Sequence, residues 1–141
     1  MLKIGAIILT VCGGFNLLLA SAILVAVAVL NKTAPILFIV FEEGEIPKLD
    51  SRVVAVTKSL AILFNSCAVA LSVATLFIIW SALIRGQRWA FWAVLLSVGL
   101  AQTMGFVADA AIGTKTLIPN LVLTVLFLIG IALTGYAILS P

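Results

Sequence analysis

The chain has 141 residues, of which 65% are hydrophobic and 9% charged, and its net charge is +3. A soluble domain is about half apolar and about a quarter charged, so a chain this short and this apolar must face lipid over most of its surface. Its basic residues are scattered, which excludes the electrostatic footprint of nucleic-acid binding and of a polybasic lipid switch, and the absence of His removes the commonest metal ligand, general base and haem ligand.

The first segment, 4–30, is uncharged and long enough to cross a bilayer, which takes about 20 residues at 1.5 Å each. Lys3, the apolar run and the Ala20-Ser21-Ala22 triplet imitate a secretory signal. The run nevertheless continues through Ile23 to Leu30, so a retained membrane helix is expected. Asn16 is its one strongly polar side chain. Four-helix multidrug exporters require an acid in the middle of this helix, and none is there.

The connection 31–52 is the only sizeable loop. It opens with the apolar Pro35-Ile36-Leu37-Phe38-Ile39-Val40-Phe41, which has three possible fates: an interfacial stretch, a re-entrant one, or an extension of the first helix. The following Glu42-Glu43-Gly44-Glu45-Ile46-Pro47 reads as a polar turn. If the apolar stretch closes back as a lid, Glu42, Glu43 or Glu45 would join the polar residues described next.

The second span, 53–84, carries one charge, Lys58. Lys58, Asn65 and Ser72 recur every seven residues, which keeps them on one helix face. The Arg85-Gly86-Gln87-Arg88 turn has two Arg and no acid, which places it on the cytoplasmic side together with both termini. Trp80, Trp89, Trp92 and Tyr136 flank that side as interfacial anchors. The run from Arg85 to Trp92 resembles the short basic turn of many small bacterial membrane proteins. That resemblance implies a multi-pass protein of the bacterial inner membrane and no particular activity.

The third span, 89–112, carries Gln102 and Asp109, seven residues apart. It also bears a small-residue stripe, Ala93, Ser97, Ala101 and Gly105, running on through Asp109 to Gly113, which suits close approach by another helix. The fourth span, 118–140, is uncharged and carries Asn120 and Thr124. Cys12 and Cys67 fall at different depths, so they are expected to be small buried hydrophobes without a disulfide.

These readings predict an all-α membrane protein: one domain over 1–141, a bundle of four transmembrane helices, and an outer loop after the first. In that topology Lys58, Asp109 and Asn120 lie at similar depths near the outer surface. Asn65, Gln102 and Thr124 lie roughly 6–10 Å deeper. A polar pocket lined by Lys58, Asn65, Gln102, Asp109, Asn120 and Thr124 is therefore expected in the outer half of the bundle. Polar side chains within a span usually face the bundle interior or a cavity. Three functions fit this pattern. The first is an accessory or structural subunit, partnered by membrane lipids and by copies of itself or other membrane subunits. The second is a binder or enzyme acting on a lipid-like molecule, with Asp109 as acid or base and Lys58 tuning it. The third is a small transporter coupled to protons through Asp109. No metal, cofactor or nucleic acid is expected.

Overall fold

The computed structural model describes residues 1–42, 44–112 and 117–140. Among these the regular elements are helical and there is no strand. Four helices are long and apolar enough to cross a membrane: Leu2–Val29, Ser51–Arg85, Arg88–Ala111 and Asn120–Leu139. The chain is thus an integral membrane protein by length and composition of its helices. The share of each span's most apolar window that is buried within the chain runs from 17% to 33%. Most of each span must therefore be covered by lipid or by other chains.

The spans begin and end where local chemistry dictates. Helix α1 (Leu2–Leu24) runs into a single π-helical turn, Val25–Val29. There the Leu30 N–H bonds to the Val25 carbonyl at 3.0 Å, five residues back. The run Val25-Ala26-Val27-Ala28-Val29 gives no sequence signal for this widening. Asn31 then takes a positive φ of 53°, which stops the helix in a conformation that Asn tolerates better than most residues.

Pro35 starts a separate short helix, α2 (Pro35–Val40), at a position where its missing N–H costs nothing. Of the three fates open to the apolar stretch in the loop, this removes the extension of the first helix: it is a helix of its own, distinct from α1. A 3₁₀ turn follows at Ile46–Lys48. The Asp50 carboxylate accepts the Arg52 N–H at 2.8 Å and so caps the start of α3 (Ser51–Ser81). The basic turn is a 3₁₀ turn, Leu83–Arg85, closed by Gly86 at φ 75°, a backbone that L side chains adopt only under strain. Helix α4 (Arg88–Ile112) and helix α5 (Leu117–Leu139) complete the chain. The four long helices differ from the expected spans 4–30, 53–84, 89–112 and 118–140 by at most three residues at any end, apart from the π-helical turn that closes the first. Gly113 and Glu43 lie outside the described residues.

The chain divides into two compact units. The first comprises Met1–Phe15 and Leu71–Pro141, the second Asn16–Ala70. The first holds the apolar core, in which Ala6 and Leu9 of α1, Ile79 of α3, Ala90, Phe91 and Val94 of α4, and Phe127, Ile131 and Ile138 of α5 are buried. In the second, Ala20, Val27, Ala34 and Leu37 are buried. Trp80, Trp89, Trp92 and Tyr136 are all exposed, as residues that anchor at a headgroup layer should be.

Candidate functional site

Helices α4 and α5 lie side by side in the first unit, and their contacts run antiparallel in a regular ladder. Phe91 packs into the notch at Gly135, where a Cβ would stand 3.0 Å from the ring. Further along, Gly99 faces Phe127. Beyond that the contacts turn polar. The Thr124 hydroxyl donates to Gln102 Oε1 at 3.2 Å, and Asn120 Nδ2 donates to the Asp109 carboxylate at 2.5 Å. The apolar rungs lie towards the start of α4 and the polar rungs towards its end.

Four of the six expected pocket residues are therefore brought together, as two pairs bridging α4 and α5. Asp109 is buried, at 5% exposure. A carboxylate at the centre of a span costs about 2.5–3.5 kcal/mol, more than one interhelical hydrogen bond returns, about 0.6–1.7 kcal/mol. Asp109 lies towards the end of its helix and not at its centre. It stands three residues from the end of α4 at Ile112, about 4.5 Å along the axis.

Lys58 and Asn65 belong to the second unit. There the Lys58 ammonium donates to Asn31 Oδ1, tying α3 to the residue that ends the first span. Asn65 Nδ2 donates to the Ala61 carbonyl of its own helix at 2.7 Å. Asn16 is half-buried in the same unit. Ser72, the third member of the seven-residue series, is buried in the first unit. Near α2, Glu45 accepts the Glu42 N–H at 3.2 Å, a local turn contact. Among the described residues no buried side-chain nitrogen or oxygen lacks a hydrogen-bond partner, and no group of three or more Cys, Asp or Glu is placed to hold a metal ion. Both cysteines are free thiols, Cys12 buried and Cys67 exposed.

The small-residue stripe does not form the close crossing of the first unit. Ala93 and Ser97 are half-buried, Ala101 is exposed, and a Cβ on Gly105 would meet nothing within 4 Å. The Ser97 hydroxyl bonds to the Ala93 carbonyl at 2.6 Å, within its own helix. The close crossing is instead between α1 and α5. A Cβ on Gly5 would fall 2.8 Å from the Gly130 carbonyl oxygen and 2.7 Å from Thr134 Cγ2, and one on Gly130 would fall 2.8 Å from the Leu9 side chain. The Thr134 hydroxyl, fully buried there, is satisfied by the Gly130 and Ile131 carbonyls at 2.9 and 3.1 Å. Sequence reasoning missed this crossing, although its signal was present. Gly130 and Thr134 are a small-x-x-x-small pair on α5, four residues apart, and Gly5 is the first small residue of α1.

Farther along the same two helices lies a groove of about 360 Å³, lined by Val11, Cys12, Phe15, Val122, Leu123 and Leu126. It is apolar throughout and was not foreseen. Compared with known protein families, curated proteins and solved structures, the chain matches none.

Proposed function

We propose that this protein is a membrane-embedded structural subunit, of no catalytic activity of its own, that associates laterally with copies of itself or with other membrane chains. The observation that carries this reading is the mutual pairing of the polar side chains on α4 and α5. Asn120 bonds to Asp109 and Thr124 to Gln102, so the groups best suited to chemistry hold one helix against the next. Such bonds add directional contacts between two helices whose remaining contacts are apolar. The bare aliphatic faces of the spans, exposed at Leu96, Leu100 and Met104 of α4 among others, suit lateral contact in lipid. The two Arg of the acid-free basic turn, Arg85 and Arg88, support an orientation with that turn and both termini in the cytoplasm.

The test is a double-mutant cycle on unfolding in lipid–detergent micelles, using Asp109→Ala, Asn120→Ala and the pair. The expected coupling is about 0.6–1.7 kcal/mol. Absence of coupling would remove the structural role from Asp109. A second reading is favoured by the burial of that one carboxylate within a span: a site for a lipid-like molecule, or for a transported proton, with Asp109 as the reactive group. Asp109→Asn separates the two. It keeps an acceptor oxygen for Asn120, so a structural Asp109 tolerates it with little loss of stability or assembly. A reactive Asp109 loses its function entirely while the fold stands.

A further inference from the structure

We propose that the end of the first unit bearing the basic turn is a docking surface for the phosphates of anionic phospholipids. Lys3 stands far in sequence from Arg85 and Arg88, and the fold brings them to one end. Leu2 lies against the turn, its Cδ2 4.0 Å from where a Cβ on Gly86 would stand. Lys3 is the next residue, in the first turn of α1, where side chains lean back towards the helix start. The turn itself is firmly seated. Ala82 and Leu83 are buried, at 3% and 0% exposure, and Gly86 closes the turn in the left-handed conformation. Lys3, Arg85 and Arg88 are all exposed, so a fixed backbone presents three cationic heads to the surroundings.

Charge decides the chemistry of the occupant. The only acidic side chain of the first unit is Asp109. It lies about 30 Å beyond Arg88 along the same helix and is bonded to Asn120. The three cations therefore take their counter-charge from outside the protein. Depth decides which anion supplies it. Trp80, Trp89, Trp92 and Tyr136 are exposed around the same end, and Trp89 Nε1 donates to Gln87 Oε1 at 2.6 Å within the turn. Exposed Trp and Tyr mark the headgroup level, so the cations stand in the layer where lipid phosphates are concentrated. An Arg meets a phosphate through two parallel N–H···O bonds, and a Lys adds a point charge on a flexible stem. Three basic residues are too few for a polybasic switch that brings a chain to a membrane. The spans already hold this chain in the bilayer, so the cations need only select among neighbouring lipids. At about fivefold per basic residue near an anionic surface, even one fully engaged charge gives a several-fold preference. The connection 31–52 is different, because its Lys32, Lys48 and Arg52 are interspersed with Glu42, Glu43, Glu45 and Asp50.

Full-length protein in phosphatidylcholine vesicles, with a trace of phosphatidylglycerol or phosphatidylcholine spin-labelled near the acyl terminus, tests the proposal. The fraction of label slowed at the protein surface gives the relative affinity of each headgroup. A several-fold preference for phosphatidylglycerol is expected. It should fall towards parity in the triple variant Lys3→Gln, Arg85→Gln, Arg88→Gln, and also in molar salt, which screens exposed charges. It should survive the triple variant Lys32→Gln, Lys48→Gln, Arg52→Gln in the connection. Lys3→Gln alone, at an exposed position, should lower the preference partway and serves should the first triple variant fail to insert. Equal affinity for the two headgroups in the wild-type protein would overturn the proposal. So would equal loss in the two triple variants, since net charge and not this surface would then be responsible. Loss of the preference on adding inorganic phosphate or a polyglutamate peptide at constant ionic strength would also overturn it, because a soluble anion or an acidic protein segment would then be the occupant.

Discussion

Asp109 and Gln102 differ in what their loss leaves behind. Gln102 accepts a hydrogen bond from Thr124 at 3.2 Å, and a threonine deprived of that acceptor can turn its hydroxyl to a carbonyl of its own helix. Thr10, Thr57 and Thr103 all do so, at 2.8, 2.7 and 2.9 Å. Gln102→Leu should therefore cost no more than about 0.6 kcal/mol, and adding Thr124→Val should bring the pair close to neutral, because both partners are then apolar. Asp109 is buried where Gln102 is only half-buried, and its bond is to a charged group, so Asp109→Ala should cost more than Gln102→Leu. Unfolding of the three variants under one denaturant series checks the order. An equal or larger cost at Gln102 would contradict it. The amino-acid types at this scale were legible from the sequence: few polar residues, placed where only a bundle interior or a cavity would accept them. What was not legible was whom each would choose. Rotamer and register decide that, and both depend on tertiary packing that a seven-residue spacing does not report.

At the scale of elements, the α1–α5 crossing depends on two glycines with unequal tolerance. A Cβ on Gly5 runs into the Gly130 carbonyl oxygen, which is backbone and cannot move without the helix. A Cβ on Gly130 meets side-chain atoms, Leu9 Cγ and Cδ2 at 2.8 Å and Ile8 Cγ2 at 3.3 Å, which give way only if the buried Leu9 changes rotamer. Gly14, on the same helix as Gly5, has open space around it. Gly5→Ala should therefore destabilise by about 1–3 kcal/mol through overpacking. Gly14→Ala should be neutral or stabilising by up to about 1 kcal/mol, the difference in helix propensity. Thermal unfolding in detergent distinguishes them, and equal effects at both positions would sink the assignment of the crossing. The spans themselves were readable because twenty apolar residues in a row have few other uses. The π-helical turn at Val25–Val29 was not, since a Val-Ala run is compatible with either ladder. The apolar loop segment was ambiguous until Pro35, visible all along, proved to open a new helix. The stripe of Ala93, Ser97, Ala101 and Gly105 shows the limit of spacing arguments. Small residues permit close approach without saying which helix comes, and among the described residues nothing comes within 4 Å of a Cβ placed at Gly105.

At the scale of the whole molecule, the four spans bury so little of their apolar surface against one another that their environment must complete the structure. Lipid covers an aliphatic face without selectivity. A second protein would be favoured where a helix offers small residues and room, as α4 does at Ala101 and Gly105. Gly105→Leu starts from a Cβ that meets nothing within 4 Å among the described residues, so it should weaken association with other chains more than it changes the stability of the single chain. The most direct test of a structural membrane subunit is the content of native membrane patches. Polymer-excised discs from producing cells, purified through this chain and analysed by native mass spectrometry, should contain it in fixed stoichiometry with at least one further membrane chain, a copy or another subunit. The Gly105→Leu protein should lose that stoichiometry. Discs that hold one copy of the wild-type chain with lipids alone would contradict the account.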